Sequence, residues 1–76
     1  MPKLVLISGK KLIHVLTKNG FETLRTNGSH NFLINKATQK TTTIPVHGKE
    51  DLGPGLLRQI LRDINMTVEE YDKLRK

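Results

Sequence analysis

The 76-residue chain contains no cysteine and no tryptophan, and its aromatic residues are only two phenylalanines and one tyrosine. Without cysteine, disulfide frameworks, thiolate zinc sites and thiol nucleophiles are all excluded. A chain this short builds a small core, so it cannot enclose a bulky cofactor, and any chemistry must take place on an open face. The scarcity of aromatic residues argues against base stacking as the main mode of nucleic-acid recognition.

Long apolar runs are also lacking. The run from Leu4 to Ile7 near the N-terminus is shorter than the roughly 7–15 residues of a signal-peptide core. It is far shorter than the roughly 20 residues of a membrane-spanning helix. The sequence therefore predicts a cytoplasmic protein without a membrane partner, built as one domain over residues 1–76.

Acidic residues are scarce in the first two thirds of the chain. Residues 1–49 carry eight basic side chains and one acid, Glu22, whereas residues 50–76 carry five basic and six acidic side chains. The excess positive charge thus lies entirely in residues 1–49, with a net charge of +7 against −1 for the remainder. A localised basic field indicates a polyanionic partner, usually nucleic acid. A solvated basic surface that serves only solubility remains the alternative.

The spacing of apolar residues predicts an α+β fold in the order α-β-β-β-α, followed by a short C-terminal helix. Both main helices have one apolar face, so we expect them to cover the same side of a three-stranded antiparallel sheet. This arrangement resembles the double-stranded-RNA-binding domain. The predicted elements are a helix over residues 9–19 capped by Ser8, strands from about 21 to 27, 30 to 35 and 41 to 46, a helix from Pro54 to about Ile64, and a last helix opened by Thr67 and Glu70.

The same pattern predicts which side chains form the core. Pro45 cannot donate to a ladder, so its segment is expected at a sheet edge or a strand end. The expected core residues are Leu12, Ile13, Val15, Leu16, Phe21, Phe32, Ile44, Val46, Leu56, Leu57, Ile60, Leu61 and Ile64.

The motif Gly28-Ser29-His30 supplies the first candidate for chemistry. Asn27-Gly28 is a strong hairpin signal, so His30 should begin a strand just after a tight turn, with an exposed ring on a fixed backbone. An imidazole can both accept and release a proton near neutral pH, which is what self-cleavage of RNA requires of a catalyst. The alternative is that His30 only caps the turn.

His47 and Ser29 are candidates for supporting roles. Period-two counting places His47 on the opposite side of its strand from Ile44 and Val46, and therefore in solvent. It could transfer the second proton, contact phosphate or pack locally. His14 belongs to the basic face of the first helix and is interpreted as a surface residue. No two histidines have metal-ligand spacing, so no metal site is predicted.

Phosphate contacts are expected from basic residues in the basic part of the chain. Arg25, Lys36 and Lys40 border the predicted hairpins, while a broader footprint comes from the first helix, at Lys10, Lys11 and Lys18. Each of these residues alone would be an ordinary solvated side chain, so the prediction depends on their clustering.

Several motifs together resemble the HicA family over about residues 4–71. They are Ser8-Gly9-Lys10-Lys11-Leu12, Asn19-Gly20-Phe21, Gly28-Ser29-His30, the segments 44–52 and 55–61, and Met66-Thr67-Val68-Glu69-Glu70-Tyr71. The resemblance implies a type II toxin that cleaves mRNA without a metal or other cofactor, with His30 as the essential residue. It also implies a HicB antitoxin that covers this histidine. There are two departures: the turn 36–40 lacks the family's common glycine, and Leu56 replaces a usual threonine.

Two functions remain open from the sequence. One is an endoribonuclease in which His30 acts as general base or general acid, with His47, a lysine or water in the other role. The other is a non-catalytic double-stranded-RNA-binding module, which would need no histidine at a hairpin.

Overall fold

The computed structural model describes residues 3–76, so Met1 and Pro2 of the predicted 1–76 domain lie outside the described residues. The predicted element order and the α+β class are confirmed. The first helix ends two residues earlier than predicted, and the third strand begins and ends one residue earlier. The elements are α1 (Gly9–Thr17), β1 (Phe21–Asn27), β2 (His30–Asn35), β3 (Lys40–Pro45), α2 (Pro54–Asp63) and α3 (Val68–Arg75).

The three strands form one antiparallel sheet in the order β1-β2-β3. A two-residue loop joins β1 to β2, and Gly28 in that loop has φ +62°, a left-handed conformation that costs glycine little. A bulge interrupts the β1–β2 ladder between Thr23 and Arg25. Pro45 ends the edge strand β3, as the sequence predicts.

The two main helices lie on the same face of the sheet. Leu33 of β2 and Ile44 of β3 are fully buried, and they contact the core side chains of α1 and α2 in one cluster. The next residues along β2 and β3 therefore point to the other face, which none of the helices within residues 3–76 covers. We call that second surface the open face; it carries His30, Phe32 and Ile34 of β2.

Two core predictions are wrong. Leu56 is 41% exposed, because it lies about 90° around α2 from the centre of the stripe formed by Leu57, Ile60, Leu61 and Ile64. Phe32 is only half-buried, because it lies on the open face rather than under the helices. Three further predicted core residues, Ile13, Val15 and Val46, are half-buried.

The N-terminal segment and α3 complete the fold on the helical side. The backbone amide of Leu52 donates to the carbonyl of Ile7 (2.9 Å), and Tyr71 of α3 is fully buried with its hydroxyl donating to the carbonyl of Val5. Within residues 3–76, none of the helices has the length and apolar composition that would span a bilayer.

Candidate active site

His30 is exposed at the point where the β1–β2 hairpin meets the end of β3. It is the first residue of β2 and pairs with Asn27 on one side and Pro45 on the other. The amide of Val46 donates to the carbonyl of Ser29 (2.8 Å), which fixes the hairpin turn to the chain leaving β3. The backbone of His30 is thus held from both neighbouring strands while its ring faces solvent.

Asn31 locks the backbone next to His30. Its side-chain amide donates to the carbonyls of Ser29 and Ile44, both at 3.3 Å, and its side-chain oxygen accepts from the Thr26 hydroxyl at 3.0 Å. These bonds tie all three strands together within one residue of the histidine. Sequence reasoning missed Asn31, although a polar residue at a helix-facing strand position is the pattern that could have revealed it.

His47 lies at the same end of the sheet. It is exposed, two residues beyond Pro45, and its carbonyl accepts from the amide of Glu50 (3.1 Å), which begins the turn after β3. Pro45 is the ladder partner of His30, so His47 follows the end of β3 that lies beside His30. The exposed Leu56 lines a shallow depression of about 200 Å³ beside His47 and Pro45.

A basic cleft opens near this end of the sheet. Its volume is about 650 Å³, and it lies between the N-terminal segment, the start of α1 and the loop after β3. Lys10, Lys11 and Lys49 line it together with one acid, Asp51. Lys49 was not among the predicted RNA contacts, because only the packing of its loop against α1 brings it beside the two helical lysines.

The remaining predicted lysines do not gather around His30. Lys36 and Lys40 lie at the opposite end of β2, about 17 Å away along the strand, and Lys18 caps the C-terminal end of α1. Lys36 is paired with the carboxylate of Glu22 at 3.1 Å. In the same turn, which lacks glycine, Gln39 adopts the left-handed φ of 63°.

Arg25 is the one predicted cation on the strands beside His30. It pairs with Phe32 across the β1–β2 ladder, and its guanidinium carbon lies 4.7 Å from the centroid of that ring. A cation over an aromatic face is attracted by the ring's electrons. Arg25 is therefore held on the open face beside Phe32, which is the next residue after His30 on that face of β2.

These groups together define a surface suited to a polyanion. Two exposed imidazoles can donate or accept protons, and positive charge comes from Arg25 on β1, from Lys10 and Lys11 on α1 and from Lys49 in the loop after β3. Among residues 3–76, no group of three or more histidine, cysteine, aspartate or glutamate side chains could hold a metal ion.

The fold and the surface together define a class of protein. It is a basic α+β domain of double-stranded-RNA-binding architecture, with an exposed histidine at its hairpin. The family model of the HicA toxin of bacterial toxin–antitoxin systems matches residues 9–66, which is most of the chain. The chain therefore belongs to the HicA toxin family. Membership gives it the role of a toxin whose natural partner is an antitoxin. A search of curated proteins found no match to the chain.

Proposed function

We propose that this toxin is a metal-independent endoribonuclease that cleaves mRNA in the cytoplasm as a single domain of residues 1–76. His30 is the catalytic residue. The observation that carries the proposal is the placement of His30: exposed, fixed by two strands, and inside the segment that matches the HicA family.

The reaction needs only proton transfer and charge stabilisation. A base removes the proton of a ribose 2′-hydroxyl, and the 2′-oxygen attacks the adjacent phosphorus. The bond from phosphorus to the 5′-oxygen breaks, and an acid protonates that oxygen. The products are a 2′,3′-cyclic phosphate and a 5′-hydroxyl, so no metal or external oxidant is required. Nearby cations stabilise the charge that develops on the phosphate.

One imidazole cannot be base and acid in the same step. His47 is our candidate for the second role, because it is exposed at the same end of the sheet as His30. Ser29 supports the site through its carbonyl, which accepts from Val46 and Asn31. Six basic residues are proposed to contact RNA phosphates: Lys10, Lys11, Lys18, Arg25, Lys36 and Lys40.

A HicB-type antitoxin is proposed to inhibit the toxin by covering His30. The geometry supports this mode of inhibition, since an exposed histidine on an open sheet face can be covered without any rearrangement of the core.

The decisive experiment compares His30→Ala with the wild type. We expect the variant to lose RNA cleavage and growth arrest while it keeps its thermal unfolding midpoint and its affinity for RNA, because the ring is exposed and packs in no core. Lys73→Ala is the control, since it removes an exposed polar side chain from α3 and should leave cleavage unchanged.

A His30→Ala variant as toxic as the wild type would refute catalysis by His30 and favour a non-catalytic RNA-binding module. The cleavage products provide a second check. A 2′,3′-cyclic phosphate terminus is expected, and a 3′-hydroxyl terminus would contradict the proposed chemistry.

A further inference from the structure

The open face contains a second feature, next to His30, that the proposed chemistry does not use. Alternation along β2 places Phe32 on the same face as His30, two residues and about 7 Å further along the strand. Arg25 covers part of the Phe32 ring, with its guanidinium carbon 4.7 Å from the centroid. Phe32 is thus an aromatic ring outside the core, flanked by a planar cation.

A shallow cavity of about 550 Å³ surrounds this pair. It is lined by Leu24 and Arg25 of β1, by Phe32, and by Thr41 and Thr43 of β3. An aromatic ring and a guanidinium plane are the two surfaces on which proteins stack unpaired bases, and hydroxyl groups can bond to the edges of bases. The chemistry of this lining therefore fits a nucleobase.

The lining of the cavity favours a base over a phosphate, because it offers one cation, one aromatic ring and hydroxyl groups and not a cluster of cations. Asp63 also borders the cavity, but its carboxylate is bonded to the Thr42 hydroxyl (3.1 Å) and to the side-chain amide of Gln59 (2.9 Å) on the helical side of the sheet, so it takes no part in the site. The basic cleft that Lys10 and Lys11 line lies elsewhere, at the start of α1, and is better suited to phosphates.

We propose that Phe32 and Arg25 form a binding site for one unpaired nucleobase of the RNA strand whose phosphodiester lies at His30. The proposal rests on the proposed ribonuclease function and names its substrate class as single-stranded RNA. In a duplex, each base is stacked and paired within the helix, so only an unpaired base can be turned onto a protein ring. Continuity with His30 and the positive charge of Arg25 favour RNA as the occupant of this face.

The site would position the substrate as well as bind it. Arg25 is exposed, so a base can stack on the outer face of its guanidinium, whose inner face lies against Phe32. In this arrangement the ribose-phosphate next to that base is held within reach of His30. Phe32 and Arg25 are therefore positioning residues, and base preference at the cut would arise from the groups around the cavity.

The test uses the full chain in a His30→Ala background, so that binding is measured without cleavage. Short oligo(U), oligo(C) and oligo(A) strands are compared with an abasic ribose-phosphate strand of the same length and charge, by fluorescence anisotropy at fixed salt. We expect at least one base-bearing strand to bind about ten-fold or more tightly than the abasic strand. Phe32→Leu should bring this ratio close to one without changing the affinity for the abasic strand.

Arg25→Lys keeps the positive charge at this position but removes the planar guanidinium on which a base can stack. It should reduce the base-bearing to abasic ratio, whereas the matched control Arg58→Lys, in an exposed position on α2, should leave the ratio unchanged. If Phe32→Leu fails to fold, as judged by its thermal unfolding, the Arg25→Lys comparison decides alone: a reduced ratio supports the base site and an unchanged ratio overturns it.

Three other results would overturn the inference. One is equal binding of base-bearing and abasic strands by the parent protein, and another is an equal loss on both strands in Phe32→Leu. The third is a Phe32→Leu variant that weakens binding of the antitoxin but not of RNA, which would make this face a protein interface. Failure of the proposed function is distinguishable, because the wild type would then cleave no RNA, whereas failure of the base site alone would leave cleavage by the wild type intact.

Discussion

At the scale of single residues, Gly9 decides how closely α1 approaches the site. It is the first residue of α1 and is buried against β3, where a Cβ would overlap the carbonyl oxygen of Pro45 and lie 3.4 Å from Ile44 Cγ2. Pro45 is the strand partner of His30. Glycine at this position therefore allows the start of the helix to lie directly against the strand that supports the histidine.

We expect Gly9→Ala to lower the free energy of unfolding by about 1–3 kcal/mol, because the added methyl group meets rigid backbone. Gly55→Ala is the matched control. A Cβ at Gly55, in the first turn of α2, would meet no atom within 4 Å, so alanine should be neutral or stabilise by up to about 1 kcal/mol. Urea unfolding of both variants measures the difference, and equal stabilities would contradict the proposed overlap.

At the scale of elements, α3 lies beyond the segment that matches the family, yet the structure ties it firmly to the domain. Its capping box is complete: Glu70 N donates to the Thr67 hydroxyl at 3.1 Å, and Thr67 N donates to the Glu70 carboxylate at 2.9 Å. Tyr71 then anchors the helix in the core, and burial raises the pKa of its hydroxyl. The apolar periodicity of residues 68–75 is weak, so the sequence pattern did not predict how completely Tyr71 is buried.

Thr67→Ala should destabilise the protein by about 1 kcal/mol, because the amide of Glu70 loses its acceptor at the helix start. Thr67→Ser keeps the hydroxyl and is the control. The unfolding free energies of the two variants provide the measurement. A loss in Thr67→Ser as large as in Thr67→Ala would show that the methyl group, and not the cap, matters.

The carboxylates of α3 make the stability of this helix depend on pH. Hydrogen bonds with Thr67 lower the pKa of Glu70, and the hydrogen bond with Arg75 lowers the pKa of Asp72. A group whose pKa is lowered on folding stabilises the folded state above its unfolded value and loses this effect as pH falls through the folded value. We therefore expect unfolding free energy to fall below about pH 4. The decline should be shallower in Glu70→Gln, as measured by urea unfolding across pH.

At the scale of the whole molecule, the basic residues of the first two thirds of the chain lie in several separate regions of the surface. Lys10, Lys11 and Lys49 line the cleft at the start of α1, whereas Lys36 and Lys40 lie at the far end of the sheet from His30. The molecule measures 34 × 29 × 20 Å, so a strand of RNA that contacts both ends must cross most of its surface.

RNA affinity should therefore fall steeply with salt, with a slope of about −0.7 in log K against log salt for each phosphate contacted by single-stranded RNA. Lys10→Gln or Lys11→Gln should make the slope shallower by about 0.7. Lys73→Gln, an exposed lysine in the acidic last third, should leave it unchanged. Titrations at several salt concentrations test this, and a slope near zero would contradict binding through the basic surface.

Local patterns in the chain were sufficient for the elements, most of the core and the exposure of His30. Three local features depend only on neighbours within a few residues, so the sequence alone specifies them. They are the helix spacing, the Asn27-Gly28 hairpin signal and the Thr67 capping box. The position of His30 at the start of a strand follows from the same hairpin signal. The hairpin and the exposure of His30 could therefore be predicted without knowledge of the packing.

Packing alone decided what surrounds His30. Strict alternation would place Arg25 on the same face as Phe21, under the helices, but the bulge between Thr23 and Arg25 moves it to the open face opposite Phe32. The length of β2 separates Lys36 from the histidine, and the docking of the loop after β3 brings Lys49 to α1. These neighbours depend on register and on contacts between distant segments, which no local pattern specifies.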